Sequence, residues 1–153
     1  MISQTQIDGE PFVVIDTPRW KAEIILSVGS NMLSLTDKRC GLNILREPPT
    51  LDALKEQPEI YGFPVLIPPN CIRKGHFSWR GRDYTLPVNN RFGNHIHGVV
   101  LRYPWEFLDS SEEEGKTVVR TRHLYDERNP MFAGFPHKME VILTYTFLPD
   151  RVL

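Results

Sequence analysis

The sequence predicts an all-β fold in a single domain. Short runs of β-branched and aromatic residues alternate with polar residues, which is the period of half-buried strands. Thirteen prolines interrupt any helical period of useful length. With 153 residues, 41% of them hydrophobic and 24% charged, the chain has the size and composition of one globular domain. No repeat or linker divides it, so we treat it as one unit.

Strands and turns alternate along the chain. The turn residues are Gly29-Ser30-Asn31 early in the chain, Arg80-Gly81-Arg82 between two aromatic runs, and the charged tip Glu112-Glu113-Glu114-Gly115, which we expect to be solvated. The sequence 126–137, rich in Pro and Gly, is predicted to be a long loop between the last two strands. In order, the predicted strands comprise residues 12–15, 22–28, 32–35, 76–79, 83–86, 117–125 and 138–147.

One short helix is predicted, for residues 50–56. Thr50 can accept a hydrogen bond from the first helical turn, and Leu51 and Leu54 lie on one side of the helix. Pro58 ends it because proline has no backbone N–H to continue the hydrogen-bond ladder.

The last residues are expected to begin another strand. Residues 148–151 read as a turn, and Val152 and Leu153 follow as β-formers. A sheet that stops there exposes unpaired backbone groups along its edge, so we expect a homo-oligomer that forms through this open edge.

Composition argues against several kinds of partner. The 18 basic and 19 acidic residues nearly balance and form no basic stripe, so nucleic acid is not expected as a partner. The longest apolar stretch, residues 63–67, is far shorter than the roughly 20 residues that a membrane helix needs. No secretory signal is visible at the amino terminus. Two cysteines, Cys40 and Cys71, form no disulfide framework, so a reducing, cytoplasmic setting is the default.

Several motifs follow one another in a fixed order along the chain. They are Gly29-Ser30-Asn31-Met32, Asn43-Ile44-Leu45-Arg46, residues 61–70, Gly75-His76-Phe77, Gly81-Arg82-Asp83-Tyr84 and Asn94-His95-Ile96-His97-Gly98. In this order they resemble the first part of the aldose 1-epimerase (galactose mutarotase-like) family. The resemblance implies a galactose mutarotase-like β-sandwich, or supersandwich, of which about half is present. Residues 1–153 would then be the amino-terminal portion of a single such domain.

The resemblance implies a catalytic role for His97. The His97-Gly98 step is similar to the family's His-Gly step, whose histidine contacts the sugar near its ring oxygen. The step Asn70-Cys71-Ile72 is similar to the family's Asn-Arg-Ile, but cysteine replaces the arginine that hydrogen-bonds sugar hydroxyls. A thiol cannot supply the five hydrogen-bond donors of a guanidinium, so the affinity for sugar should be weakened unless the Arg73 side chain reaches the sugar instead.

The family's reaction requires an acid and a base. Opening the hemiacetal ring removes the C1 hydroxyl proton and protonates the ring oxygen, and closing it on the other carbonyl face gives the other anomer. In the family the base is a glutamate near the carboxyl end, and the acid is a second histidine in the middle of a chain about twice this long. Neither has a match here, so we expect an aldose 1-epimerase-like enzyme that is incomplete in this chain, with a hexose as substrate. No cofactor or metal is implied.

The other candidate residues have structural alternatives. His95 lies one strand period from His97 and would share its face if the segment is extended. Asn70 is predicted either to orient a sugar or to bond its own turn. Trp105 could stack on a sugar face or lie in the core. For His76, His123 and His137 a structural role is expected.

Two other functions compete with the epimerase. A cupin-like metalloprotein could use His95 and His97 as ligands, but it would need a carboxylate shortly afterwards, and the next acidic residue is Glu106, beyond Pro104. A non-catalytic carbohydrate-binding module on the same scaffold is the stronger rival, because Cys71 and the unmatched acid and base both favour it.

Overall fold

The computed structural model describes residues 1–153 and is built almost entirely of strands. The all-β prediction is confirmed. None of its helices has the length and apolar character needed to cross a bilayer. The strands are β1 (Ile2–Ile7), β2 (Glu10–Asp16), β3 (Trp20–Ile25), β4 (Asn31–Asp37), β5 (Leu42–Asn43), β6 (Cys71–Arg73), β7 (His76–Trp79), β8 (Arg82–Thr85), β9 (Asn94–Ile96), β10 (Glu106–Glu113), β11 (Lys116–Tyr125) and β12 (Met139–Phe147).

The first five strands form an antiparallel meander in the order β1-β2-β3-β4-β5. The predicted meander is therefore present, with β1 and β5 added to it. Strand β3 ends at Ile25, earlier than predicted, because the following residues bond to a distant segment: Trp105 N donates to Leu26 O at 2.8 Å and Gly29 N to Tyr103 O at 3.0 Å. A Cβ at Gly29 would lie 2.4 Å from Leu101 O, so this close approach requires glycine.

A second, three-stranded sheet packs face to face on the meander. Its order is β10-β11-β12, all antiparallel. Burial alternates along β11, where every second side chain from Thr117 to Tyr125 points inward. One apolar cluster joins the two sheets, which makes the molecule a β-sandwich. Its buried members are Val13, Ile15, Trp20, Ala22, Ile24, Leu26, Met32, Val119, Tyr145 and Phe147.

A buried polar group of three residues also links the sheets. Tyr145 on β12 donates its hydroxyl hydrogen to Ser30 O at 2.9 Å, and the Ser30 and Thr121 hydroxyls lie 2.7 Å apart. Burial raises the pKa of Tyr145 well above its usual range, so the hydroxyl stays protonated and donates. The turn at Ser30 is thereby fixed against the second sheet.

The helix α1 (Leu51–Glu56) covers the other face of the meander. Thr50 Oγ1 accepts a hydrogen bond from Ala53 N at 3.1 Å, which confirms the predicted cap. Leu54 is fully buried against Phe12 and Ile25. A 3-10 helix, Pro58–Ile60, follows and leads into the segment that resembles the family motif.

The predicted hairpin at residues 76–86 is present as β7 and β8. Phe77 pairs with Tyr84, and their rings stack with centroids 4.8 Å apart. Phe135, from the loop before β12, packs against Tyr84 at 5.6 Å between ring centroids. The hairpin is thereby held against that loop.

Candidate functional site

The predicted site residues lie mainly on the short ladder between β6 and β9. Cys71 pairs with Ile96 and Ile72 pairs with His95, so the Asn70-Cys71 step lies beside the Ile96-His97 step. These two strands are separated by about twenty residues in sequence, yet each is only three residues long. The ladder brings together the two segments on which the family resemblance placed its sugar contacts.

His97 leaves the strand in a left-handed conformation. Its φ is +54°, a region that non-glycine residues adopt at a cost of about 1–2 kcal/mol. Strand β9 therefore ends at Ile96, and the alternation of faces ends with it. His95 and His97 were expected to share one face only if the segment is extended, and the backbone at residue 97 is not extended.

The imidazole of His97 is held through one ring nitrogen only. Nδ1 lies 2.9 Å from Pro68 O, and because a carbonyl can only accept, Nδ1 carries the proton. Nε2 is then the unprotonated nitrogen. Nε2 has no hydrogen-bond partner in the protein, and it is not buried. His97 thus offers a lone pair at an accessible atom.

Asn89 fixes the residue before His97. Its side chain donates to Ile96 O at 2.7 Å and accepts from Ile96 N at 2.7 Å, so the carboxamide takes the place of a neighbouring strand. On the other side of His97, Val99 N donates to Ile67 O at 3.0 Å. The backbone is thus held on both sides of the strained residue. The contact of Asn89 with Ile96 was not predicted from the sequence.

The His95 ring packs against the backbone at Gly98, the residue that follows His97. It is fully buried, and its Nδ1–H donates to Pro87 O at 2.8 Å, while Nε2 is buried without a partner. A Cβ at Gly98 would lie 2.8 Å from His95 Nε2, so glycine is needed where the backbone crosses this ring. In this structure no ligand can reach the His95 imidazole.

Asn70, Cys71 and Arg73 lie on the exposed side of the ladder. Asn70 Oδ1 accepts from Cys71 N at 2.8 Å, which is the local turn bond considered for it. Cys71 and Arg73 are both exposed and two residues apart on β6, so their side chains share a face. Cys71 Sγ lies 3.9 Å from Asn90 Nδ2. These side chains are therefore open to solvent beside the His97 step.

Trp105 is not part of this exposed surface. It is 4% exposed and packs with Val99, Val100 and Tyr125, and its indole N–H donates to Val100 O at 3.3 Å.

A cavity of about 330 Å³ beside Trp105 is lined by residues 103–106, 122–124, 128 and 129. A cavity of about 540 Å³ lies between the amino terminus and the end of β12. His97 lines neither of these two cavities.

The chain forms no group of three or more His, Cys, Asp or Glu side chains placed to hold a metal ion. His95 and His97 each direct Nδ1 at a different carbonyl, and the Nε2 of His95 is enclosed. The two imidazoles therefore have no common open space between them.

Comparison with known proteins identifies the family of the chain. The model of the aldose 1-epimerase family matches residues 11–152, which is nearly the whole chain. The chain belongs to the aldose 1-epimerase family. A curated relative, the uncharacterized protein YihR of Escherichia coli K12, is 30% identical over 124 residues.

Solved structures agree with the fold of the aldose 1-epimerase family. A galactose mutarotase-like protein from Clostridium acetobutylicum superposes with a TM-score of 0.93 at 27% identity and covers 99% of this chain. A galactose 1-epimerase from Lactobacillus acidophilus covers 95% of it with a TM-score of 0.71 at 16% identity. The predicted galactose mutarotase-like β-sandwich is confirmed.

This aldose 1-epimerase family member spans less than half of the length of these relatives. It covers 36% of YihR, 46% of the Clostridium protein and 43% of the Lactobacillus enzyme.

Proposed function

We propose that residues 1–153 form the amino-terminal sugar-contacting wall of an aldose 1-epimerase-like site that interconverts the α and β anomers of a hexose. The observation that carries the proposal is the state of His97. Its Nδ1–H is bonded to Pro68 O, which leaves Nε2 accessible on a surface beside Cys71. An imidazole in this tautomer can accept a hydrogen bond from a sugar hydroxyl, and when protonated it can donate to the ring oxygen.

Turnover needs a second group. Ring opening requires a base for the C1 hydroxyl proton and an acid for the ring oxygen, and His97 can serve only one of these at a time. The family resemblance implies a second histidine and a glutamate for this chemistry, and neither has a match among these 153 residues. We therefore propose that the chain supplies contacts to the sugar and depends on groups outside these residues for full activity.

A non-catalytic carbohydrate-binding module is the second candidate. Cys71 favours it, because this side chain is exposed at the position where the family resemblance implies an arginine, and a thiol donates at most one weak hydrogen bond. The module would use the same surface without accelerating ring opening. The two functions differ in turnover and not in the surface that they use.

Polarimetry separates the two functions. Fresh α-D-glucose and α-D-galactose are followed with and without the protein, and binding is measured in parallel by calorimetry. Acceleration above the buffer rate supports the epimerase, whereas binding without acceleration supports the module. A folded sample that shows neither acceleration nor binding would refute the sugar site.

His97→Ala is expected to abolish whichever effect is seen, because it removes the accessible imidazole nitrogen that the ladder presents. His76→Ala is the matched control, since His76 is an exposed histidine on β7 and outside the ladder. Equal effects of the two substitutions would remove His97 from the site.

The state of the two cysteines is relevant to the cellular compartment of the protein. Cys40 and Cys71 are exposed and unpaired, which supports the proposal of a reducing, cytoplasmic setting.

A further inference from the structure

The backbone carbonyl of Val99, two residues after His97, has a single hydrogen-bond partner in the protein. No backbone N–H donates to this oxygen, and the side chain of Asn129 donates Nδ2–H to it at 3.0 Å. The bond is buried, and Val99 itself is 3% exposed. Because a buried carbonyl without a partner is unfavourable, this one bond favours the conformation in which Val99 O faces Asn129.

Asn129 is fixed as a donor before any other contact is considered. Its Oδ1 accepts from Met131 N at 2.9 Å, which assigns the oxygen and leaves Nδ2 to face Val99. Its backbone is held on both sides, because Asn129 N donates to Asp126 O and Phe132 N donates to Asn129 O, both at 2.9 Å. The residue is 7% exposed. The carboxamide therefore needs no rearrangement to bond Val99 O.

The loop of residues 126–137, which carries this carboxamide, is tied to β11 and to the β7–β8 hairpin. Tyr125 at the end of β11 donates its hydroxyl hydrogen to Phe135 O at 3.0 Å. On the hairpin, the Tyr84 hydroxyl lies 2.9 Å from His137 Nε2. The loop is thus held at two places, and the position of its buried carboxamide is set by the fold.

His97 depends on contacts of this kind, because its φ of +54° is unfavourable for a residue with a side chain. A strained conformation persists only where the surrounding structure determines it. Before His97, the carboxamide of Asn89 bonds both backbone groups of Ile96. After it, the carboxamide of Asn129 bonds Val99 O. Two asparagine side chains from different loops therefore flank the strained residue.

We infer that Asn129 is a positioning residue for His97: it fixes the Val99 carbonyl, so that the His97 ring stays opposite Pro68 O with its proton on Nδ1 and its Nε2 accessible. The inference rests on the proposed function, in which the His97 imidazole contacts the sugar. Without the bond to Asn129, the backbone at His97 can relax out of the left-handed region, and the ring then leaves Pro68. The hydrogen bonds that carry this inference are all made by residues 67–137.

Asn129→Asp tests the positioning role. The substitution keeps the size of the side chain and the acceptor for Met131 N, but a carboxylate cannot donate to Val99 O. Nitrogen-15 shifts of the imidazole show which ring nitrogen carries the proton. In the wild type His97 should carry it on Nδ1, whereas in Asn129→Asp this form should give way to a mixture of both tautomers. An unchanged tautomer in a folded variant would overturn the inference.

Tyr125→Phe is the matched control. It removes another buried hydrogen bond of the same loop, from the Tyr125 hydroxyl to Phe135 O, and leaves the bond between Asn129 and Val99 in place. It should lower the stability of the protein without changing the His97 tautomer. If Tyr125→Phe changed the tautomer as much as Asn129→Asp, general loosening of the loop would explain both results and the positioning role would be wrong.

Two further measurements make the test independent of the folding and protonation of the aspartate variant. Asn129→Leu has no donor at any pH and should shift the His97 tautomer in the same direction as Asn129→Asp. In the wild type, a scalar coupling across the hydrogen bond should connect Asn129 Nδ2 with the carbonyl carbon of Val99. Absence of this coupling would contradict the inference without any substitution.

Titration with glucose and galactose separates this inference from the proposed function. If wild-type His97 responds to a sugar, the affinity should be weaker in Asn129→Asp and unchanged in Tyr125→Phe. Equal affinity in the wild type and Asn129→Asp would overturn the positioning role. A wild-type His97 that responds to neither sugar would refute the sugar site, and the tautomers of the variants would still decide whether Asn129 positions the ring.

Discussion

Among the histidines, three share one anchoring arrangement. Each donates its Nδ1–H to the carbonyl of a proline, which fixes the same tautomer in all three. The pairs are His95 with Pro87, His97 with Pro68, and His123 with Pro104, at 2.8–2.9 Å. The Nε2 atoms of His95 and His123 are buried without a partner, whereas that of His97 is not. Accessibility, and not the tautomer, therefore distinguishes His97.

Part of this distinction could be predicted from the sequence. The His-Gly step singled out His97 because a family motif contains it. The role of His95 could not be predicted, because it depends on Gly98 crossing the buried ring and on a positive φ at residue 97. A backbone angle of this kind is set by distant contacts with Ile67 and Pro68, which no local pattern reveals.

Cys71→Arg is expected to strengthen hexose binding. The guanidinium would restore donors on the exposed face of the ladder, and one hydrogen bond to a charged group contributes about 1.5 kcal/mol or more, or roughly tenfold in Kd. Calorimetric titration with glucose and galactose measures the change. Cys40→Arg is the control, because Cys40 is also an exposed thiol but lies outside the ladder. Unaltered affinity in Cys71→Arg would show that the loop is built differently from the family's arginine site.

At the level of elements, local pairings were predictable and distant ones were not. The hairpin β7–β8 and the helix α1 follow from adjacent residues: a Gly-containing turn between aromatic runs, and a threonine cap. The ladder between β6 and β9 joins two three-residue strands across an intervening hairpin, so no periodicity could mark it. The site depends on this second kind of pairing.

Asn89→Leu is expected to loosen the end of β9. It removes both bonds to Ile96, at a cost of about 1 kcal/mol in the free energy of unfolding. It should also lower the fraction of His97 with the proton on Nδ1, because the ring is no longer held opposite Pro68. Urea denaturation measures the first effect, and long-range proton–nitrogen correlation of the imidazole measures the second.

Asn90→Leu is the control for Asn89→Leu. Asn90 Oδ1 accepts from Phe92 N and Asn94 N, and its Nδ2 lies 3.9 Å from Cys71 Sγ, but the side chain has no hydrogen bond to Ile96 or His97. Its loss should therefore lower stability and leave the His97 tautomer unchanged. If Asn89→Leu likewise leaves the tautomer unchanged, Asn89 has only a structural role.

At the scale of the whole molecule, contacts between residues distant in sequence hold the two sheets of the sandwich together. The two sheets share one apolar cluster, and Tyr145, Ser30 and Thr121 cross-link them through hydroxyl groups. The alternation of apolar and polar residues predicted strand β11. Which face of one sheet packs on which face of the other depends on contacts between residues more than ninety positions apart. The face of each sheet was thus predictable, whereas the packing of one sheet on the other was not.

The most direct test of the sugar-contacting role of His97 is a titration of nitrogen-15-labelled protein with glucose and with galactose. Before sugar is added, His97 should show the proton on Nδ1. We expect saturable shifts of the His97 Nε2 resonance as sugar is added, while His95 and His123, whose Nε2 atoms are enclosed, stay unchanged. An Nε2 resonance of His97 that does not respond to either sugar, in a folded sample, would contradict the sugar site.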